Sequence, residues 1–187
     1  VKILKEKGFK VGFNLMQVSE CDPNELILLA KEASKYRIDV LYFADSLGNM
    51  NTKDVLTVIE LFRSHWKGKL GIHAHNNMGM ALSNSLFALD NGITWVDSTV
   101  TGMGRGAGNA NTELLAIEIA ELRNTKVNIN PLISLISREF KPLKDKYGWG
   151  TNPFYYLSGK NSVHPTYVQE MMSDSRYTDE DIIAVIE

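Results

Sequence analysis

The chain has 187 residues, of which 44% are hydrophobic and 22% are charged, and its formal net charge is −2. These values are typical of a globular protein that is long enough to bury a substantial core. The small charge gives no electrostatic reason to expect nucleic acid or a membrane surface as a partner, and no apolar run approaches the roughly 20 residues that span a bilayer.

Cys21 is the only cysteine of the chain. A lone thiol forms no internal disulfide, and it cannot by itself build a cysteine-based zinc site. The cysteine content therefore favours a reducing compartment, and we expect the cytoplasm.

Four apolar stretches are predicted to form strands, and helical periodicity follows each of them. A short helix over residues 2–7, ended by Gly8, comes first. The predicted strands cover residues 10–16, 39–44, 70–75 and 95–100, and the helices cover residues 22–36, 51–65, 79–89 and 112–122. Strands that alternate with helices pair in parallel, and the helices then cover the sheet.

The character of the chain changes after Asn124. A helix is predicted over residues 131–147, a stretch rich in glycine and aromatic residues follows over 148–160, and two short helices are predicted near 165–172 and 178–186. We therefore divide the chain into an α/β part, residues 1–125, and a small helical extension, residues 126–187.

Polar or glycine-rich segments follow all four predicted strands. They contain Asn14 and Gln17, then Asp45 and Ser46, then His73 and His75, and finally residues 99–109. In parallel α/β folds the reactive side chains collect at the carboxyl ends of the strands. This shared location predicts a functional site at that edge of the sheet.

His73 and His75 are the sharpest chemical signal. Alternate side chains of a strand point to the same face, so two imidazoles converge at the end of the third strand, where they can chelate a divalent metal. The alternative is a pair of hydrogen-bonded polar side chains. Two histidines need a carboxylate or other ligands to complete a metal site. Asn76 and Asn77, just beyond them, are expected either to orient the ligands or contact the substrate, or to cap the following helix, and capping is favoured for Asn77.

Three further features leave alternatives open. The glycines of residues 102–109 favour a tight connection over a phosphate-binding loop, and Arg105 within it is expected to pair with a substrate carboxylate, a neighbouring loop or another subunit. Asp45 is either a metal-site group or a residue that forms hydrogen bonds and interacts with a helix dipole. Asp97 needs a partner if it is buried.

The motifs together resemble a known superfamily. His-Ala-His-Asn at residues 73–76, with the segment Gly-Met-Gly-Arg-Gly-Ala-Gly-Asn at 102–109, resembles the pyruvate-metabolising metallo-aldolases and acyltransferases. This group includes 4-hydroxy-2-oxovalerate aldolase, hydroxymethylglutaryl-CoA lyase and the isopropylmalate synthases. The segments at residues 43–48 and 96–98 are most similar to the 4-hydroxy-2-oxovalerate aldolase branch.

The resemblance implies a (β/α)₈ TIM barrel and a divalent metal, with Mn²⁺ favoured and Mg²⁺ or Zn²⁺ as alternatives. The metal would bind a 2-oxo acid and stabilise its enolate. By the same resemblance His73 and His75 are metal ligands, Ser46 contacts a substrate carboxylate, and Asn109 binds substrate or assists the metal, as the matching asparagine does in the lyase branch. A tyrosine near the C-terminus approaches the site in the aldolase branch. Tyr155 or Tyr156 matches it, with Tyr155 as our candidate for this catalytic residue, and core packing is the favoured alternative for both.

The chain departs from the family pattern in one respect. The family carries an Arg-Asp segment on its first strand, which supplies the third metal ligand and polarises the keto group, and no such segment occurs here. With about four βα units, the chain resembles the C-terminal half of a TIM barrel. The third ligand and the general base are therefore expected outside it, and the exposed sheet edges predict a homo-oligomer or another association.

The leading functional hypothesis is a metal-dependent aldolase that cleaves a 4-hydroxy-2-oxo acid to pyruvate and an aldehyde, with this chain as an incomplete and weakly active part. One alternative is an acyltransferase that condenses acetyl-CoA with a 2-oxo acid. Another is a non-catalytic half-barrel that serves assembly. The aldolase branch also implies an aldehyde dehydrogenase as a partner.

Overall fold

Four parallel strands form the centre of the fold. A computed structural model describes residues 1–187. The strands are β1 (Gly12–Leu15), β2 (Val40–Asp45), β3 (Lys69–Ala74) and β4 (Trp95–Val96), and they lie in the order β1-β2-β3-β4. Each strand pairs with the next strand along the chain, so every βα unit adds one position in the same direction. This is the arrangement of one part of a TIM barrel, with four of its eight units.

Ten helices accompany the sheet. They are α1 (Lys2–Glu6), α2 (Pro23–Ala33), α3 (Thr52–His65), α4 (Ala81–Asp90), α5 (Thr112–Leu122), α6 (Asn130–Leu135), α7 (Lys141–Tyr147), α8 (Pro153–Lys160), α9 (Pro165–Met172) and α10 (Asp179–Ile186). A π-helical stretch, Ile136–Phe140, joins α6 to α7, so the helix predicted over residues 131–147 is present as one long helical segment. None of the helices combines the length and the apolar character needed to cross a lipid bilayer.

Two helix starts follow directly from the sequence. The Asp22 side chain accepts a hydrogen bond from the Asn24 N–H, and Pro23 occupies the first helical position of α2. Asn51 and Asp54 form a reciprocal capping box at the start of α3. An asparagine cap followed by proline, Asn152 and Pro153, begins α8, which the sequence analysis missed because glycine and aromatic residues dominate that stretch.

The main core lies between one face of the sheet and helices α2 to α4. Leu41 and Phe43 of β2 and Leu70 and Ile72 of β3 are fully buried there, and the Phe43 ring meets Phe62 of α3 edge to face. The alternate residues of the same strands point to the opposite face. His73 is one of them, so it lies on the face that α2 to α4 leave uncovered.

The fourth strand is shorter than predicted. The sequence predicts extended chain over residues 95–100, whereas β4 ends at Val96 and a 3₁₀ turn covers Val100–Gly102. Thr101 adopts a positive φ of 55°, which an extended strand does not allow. The early end of β4 releases the glycine-rich segment to fold back over the end of the sheet.

The C-terminal helices form a second, smaller core. Val168 of α9 and Ile182 and Ile186 of α10 pack with Tyr155 of α8 and with Ala107 of the glycine-rich segment. The extension therefore contacts the α/β part at this segment. The proposed division at residue 125 stays a prediction, and so does the association expected to cover the outer edges of β1 and β4.

Candidate active site

His73 and His75 lie side by side at the end of β3. Their ring centroids are 5.1 Å apart and the ring planes are inclined by 69°. The structure confirms that the two side chains share one face, as the strand geometry predicts. β3 ends at Ala74, and His75 then pairs with Asn109 in an isolated antiparallel bridge. The third strand end and the glycine-rich segment therefore meet at the histidine pair.

Asp97 orients the His73 ring. His73 Nδ1 lies 3.1 Å from Asp97 Oδ2, and because a carboxylate only accepts hydrogen bonds, Nδ1 is the donor. This leaves Nε2 of His73 available to a metal, as in the carboxylate–histidine pairs of many metal sites. Asp97 is half-buried, and His73 is the partner that the sequence analysis required.

Tyr42 is a neighbour that the sequence analysis missed. Burial, and to a lesser extent the nearby carboxylate of Asp97, raises the pKa of the Tyr42 hydroxyl above its usual value. Tyr42 pairs in register with Gly71, so it lies on the same face of the sheet as His73. Tyr42 is the one half-buried residue of β2, and the other five are buried.

His75 is a neutral imidazole with a buried ring nitrogen that has no hydrogen-bond partner. Burial, with smaller contributions from His73 and Arg105, lowers the pKa of His75 to about 3, so the imidazole is neutral at physiological pH. Its Nδ1 is buried and has no hydrogen-bond partner. The neutral imidazole is the form that binds metals. The Oδ1 atom of Asn109 is also buried without a partner, while Asn109 Nδ2 donates to the Met103 carbonyl at 3.1 Å.

The donor set is suited to a divalent metal but is not complete within this chain. Two imidazoles and one amide oxygen are available, yet no three histidine, cysteine, aspartate or glutamate side chains of residues 1–187 converge as a metal-binding group. Transition metals accept imidazole and carboxylate oxygen together. The expected carboxylate ligand is therefore not supplied by this chain, and the metal role of the histidines stays a prediction.

Asp45 binds backbone N–H groups, which is one of the two roles that the sequence left open. Its Oδ1 accepts a hydrogen bond from Asn49 N at 3.1 Å and its Oδ2 accepts one from Met50 N at 3.2 Å. Burial raises the pKa of Asp45 to about 6 against the opposing effect of these bonds, so the carboxylate is ionised at neutral pH. These hydrogen bonds from Asn49 and Met50 to Asp45 stabilise the loop that follows β2.

Ser46 connects two of the other strand ends. Its Oγ accepts a hydrogen bond from Gln17 N at 2.9 Å, and its carbonyl oxygen accepts one from Arg105 Nη2 at 3.2 Å. Ser46 is only 1% exposed, and its hydroxyl proton is not used by these bonds. The contact predicted between Ser46 and a substrate carboxylate stays a prediction.

The glycine-rich segment is a tight connection, as the sequence favours. Gly102, Gly106 and Gly108 all adopt positive φ angles. A Cβ atom on Gly108 would overlap the carbonyl oxygen of Gly102, and one on Gly104 would overlap the Asn109 amide group. The glycines therefore allow the segment to fold onto itself and to bring Asn109 to the histidine pair.

Asn77 does not cap α4, contrary to the sequence prediction. The neighbouring Asn76 side chain accepts the hydrogen bond from Ala81 N, at 3.1 Å. Asn77 is instead fully buried, and it packs so closely beneath Gly48 that a Cβ atom at Gly48 would lie 2.6 Å from Asn77 N. Because of this packing, the Asn77 side chain is not available to the N–H groups at the start of α4.

The helical extension holds the glycine-rich segment in place. Gly106 N donates to Gln169 Oε1 at 2.8 Å, and Gly150 N donates to the Gly106 carbonyl at 3.2 Å. Trp149 Nε1 donates to the Thr101 carbonyl at 3.1 Å. Tyr155 is 3% exposed, and its ring lies next to Gly106. The structure thus places the predicted catalytic tyrosine against this segment.

Comparison with known proteins gives a consistent picture. The family model for HMGL-like proteins matches residues 1–137. The chain is 42% identical over 123 residues to 4-hydroxy-2-oxovalerate aldolase of Carboxydothermus hydrogenoformans, covering 65% of this chain and 36% of that protein. It is 35% identical over 144 residues to 4-hydroxy-2-oxovalerate aldolase 2 of Rhodococcus opacus, covering 76% and 42%. The chain thus spans about two fifths of the length of these relatives.

Solved structures are similar over a larger part of the chain. The N-terminal domain of a candidate aldolase from Bacteroides vulgatus aligns with a TM-score of 0.84 and 37% identity, covering 98% of this chain and 60% of that chain. This alignment includes most of the helical extension. Hydroxymethylglutaryl-CoA lyase of Bacillus subtilis aligns with a TM-score of 0.66 over 85% of this chain and 57% of that chain, at 24% identity, which shows a shared fold.

Proposed function

The chain belongs to the HMGL-like family, and on this basis we propose that it forms the C-terminal half of the barrel of a metal-dependent aldolase. The proposed reaction cleaves a 4-hydroxy-2-oxo acid, such as 4-hydroxy-2-oxovalerate, to pyruvate and an aldehyde. The observation that carries this proposal is the neutral His75, whose buried Nδ1 has no hydrogen-bond partner, beside the oriented His73. The names of the curated relatives support the choice of reaction.

In this proposal the residues of this chain bind the cation and the substrate and orient them. His73 and His75 would hold the cation, and Asp97 fixes the His73 ring through its hydrogen bond to Nδ1. Ser46 and Asn109 would bind the substrate. When bound, a divalent cation supplies Lewis-acid polarisation of the keto oxygen. We favour Mn²⁺ for this role, with Mg²⁺ and Zn²⁺ as alternatives.

The remaining groups are proposed to come from outside residues 1–187. During cleavage the bond between C3 and C4 breaks, the 4-hydroxyl group gives its proton to a base, and C3 gains a proton. We assign that base and a carboxylate metal ligand to the part of the protein that this chain does not cover, since the chain spans only about two fifths of the curated relatives. The isolated chain is therefore expected to have little activity.

The outer edges of β1 and β4 have no partner strand within the chain, and exposed edges are commonly covered in native proteins. We propose a homo-oligomer, and the aldolase branch favours an aldehyde dehydrogenase as a further partner. Cys21 is the only cysteine and is a free thiol, which supports a cytoplasmic, reducing location.

The reaction is tested by measuring pyruvate release from 4-hydroxy-2-oxovalerate with added Mn²⁺, for the full-length protein and for residues 1–187. We expect the full-length protein to form pyruvate and acetaldehyde in equal amounts. Release of CoA from acetyl-CoA with a 2-oxo acid would indicate an acyltransferase instead. Absence of turnover of any 2-oxo acid would exclude both enzymatic hypotheses and leave the assembly role.

Tyr155→Phe tests the proposed catalytic tyrosine. Tyr155 forms hydrogen bonds only through its main chain, so removing the hydroxyl breaks no internal side-chain bond. We expect kcat of the full-length protein to fall by about a hundredfold, which is typical of a lost proton-transfer group, with an unchanged melting temperature. The same change at the exposed Tyr156 is the control. An unchanged kcat would leave Tyr155 as a packing residue only.

A further inference from the structure

Arg105 is a charged side chain at the site without an acidic partner in this chain. Its Nη2 atom donates to the Ser46 carbonyl at 3.2 Å, and its Nε atom is buried and has no hydrogen-bond partner. None of the five ion pairs of the chain includes it. Burial lowers the pKa of Arg105, which reports the desolvation of the guanidinium. A desolvated charge is unfavourable unless an opposite charge compensates it.

The nearby acidic groups are already engaged elsewhere. The Asp45 carboxylate is directed to the N–H groups of Asn49 and Met50. The Glu113 carboxylate accepts hydrogen bonds from Thr101 N at 3.0 Å and Asn111 Nδ2 at 3.2 Å. The hydrogen bonds of the Asp45 and Glu113 carboxylates therefore go to groups other than Arg105.

The other titratable groups around Arg105 are histidines. Burial and the charge of Arg105 both lower the pKa of His164, which precedes α9. The Asp97 carboxylate accepts a hydrogen bond from His73. No carboxylate of residues 1–187 forms an ion pair with Arg105, so its charge favours an anionic ligand.

The backbone on the C-terminal side of Arg105 is fixed by the helical extension. The Gly106 N–H is held by Gln169, and the Gly106 carbonyl accepts from Gly150 N. On the other side, the Arg105 carbonyl accepts a hydrogen bond from Gly108 N at 2.9 Å. A guanidinium on such a constrained segment is preorganised, so little conformational freedom is lost when it binds a ligand.

We propose that Arg105 binds a carboxylate of the substrate beside the histidine pair. This inference rests on the proposed function and deepens it, because it assigns a binding residue for the anionic end of the substrate. The guanidinium has a planar set of N–H donors that matches a carboxylate, and its unused Nε–H is among them. Two carboxylates fit this chemistry: the one next to the keto group, and a second one further along the substrate.

A pair of probes separates these two sources. 2-Oxovalerate and 2-oxoglutarate have the same number of carbon atoms, and only 2-oxoglutarate carries a second carboxylate. Isothermal titration calorimetry of the Mn²⁺-loaded full-length protein measures both dissociation constants, for the native protein and for Arg105→Gln. We expect the variant to bind the relevant probe about tenfold to hundredfold more weakly, as for a lost charge-assisted hydrogen bond.

The pattern of loss identifies the carboxylate. Equal weakening of both probes assigns Arg105 to the carboxylate next to the keto group, and weakening of 2-oxoglutarate alone assigns it to the second carboxylate. Arg105→Lys keeps the charge, and we expect it to recover part of the affinity. Arg123→Gln makes the same change at an exposed position of the same chain and is expected to leave both affinities unchanged.

Two results would overturn the proposal. One is that Arg105→Gln, with an unchanged melting temperature, binds both probes within twofold of the native protein. The other is that the native protein binds neither probe. The aldolase hypothesis fails separately: carboxylate binding that depends on Arg105 without pyruvate release would retain the binding site and reject the reaction. Pyruvate release with an unchanged KM in the Arg105→Gln variant would support the aldolase reaction and reject Arg105 as the carboxylate-binding residue.

Discussion

Replacing either histidine of the pair by alanine is expected to abolish metal binding and pyruvate release in the full-length protein. Each imidazole would supply one of few protein ligands, and the loss should exceed the roughly tenfold to hundredfold effect typical of groups that only orient a ligand. Equilibrium dialysis against Mn²⁺ followed by elemental analysis measures the loss for His73→Ala and His75→Ala. Dialysis against a chelator should abolish activity, and added Mn²⁺ should restore it.

Two further variants make this experiment specific. Asp97→Asn keeps the size of the side chain but weakens its hold on His73 Nδ1, so we expect an intermediate loss of metal affinity, about tenfold to hundredfold. His65→Ala removes an exposed histidine at the end of α3 and should have no effect. Full metal content in both His73→Ala and His75→Ala would contradict the proposed ligand set.

The central part of the site could be predicted from the sequence because its geometry is local. The spacing of His73 and His75 fixes their common face once the segment is a strand, and the strand follows from the apolar run before them. The capping groups Asp22 and Asn51 also act within one turn of their own helices. Such features depend on short segments of chain, so periodicity and composition are sufficient to find them.

The features that could not be predicted depend on contacts between distant segments. The hydrogen bond between Gly106 and Gln169 joins residues 63 positions apart, and no local sequence pattern predicts it. Asparagine is a common helix cap, but the Asn77 side chain is buried against Gly48 and does not reach the start of α4. The choice between Asn76 and Asn77 was thus decided by tertiary packing, which overrides local preference.

The helical extension contributes to the position of the candidate site. The sequence presents residues 126–187 as an appendage, whereas Trp149, Gly150 and Gln169 all bind the segment that carries Arg105 and Asn109. The position of the site therefore depends on both parts of the chain. A Bacteroides vulgatus structure that aligns over 98% of the chain extends the similarity over most of the extension.

Gly108→Ala is expected to cause the largest loss of stability among single changes in this segment. Gly108 has a φ of 81°, and an added Cβ would overlap the Gly102 carbonyl, a rigid backbone group. The Gly102 carbonyl accepts from Asn109 N at 3.0 Å, and the Gly108 carbonyl accepts from Asn76 N at 2.8 Å. Relieving the overlap must strain these bonds, so we expect a loss of at least about 3 kcal/mol in the free energy of unfolding, measured with urea.

Gly79→Ala separates the overlap from the backbone conformation. Gly79 has a comparable φ of 74°, but no atom lies within 4 Å of its added Cβ, so only the conformational penalty of about 1–2 kcal/mol applies. Equal losses in the two variants would show that the close approach of Gly108 to Gly102 contributes nothing. A larger loss at Gly108, accompanied by weaker Mn²⁺ binding, would mean that closure of the glycine-rich segment places Asn109 beside His75 and so couples the stability of the segment to the site.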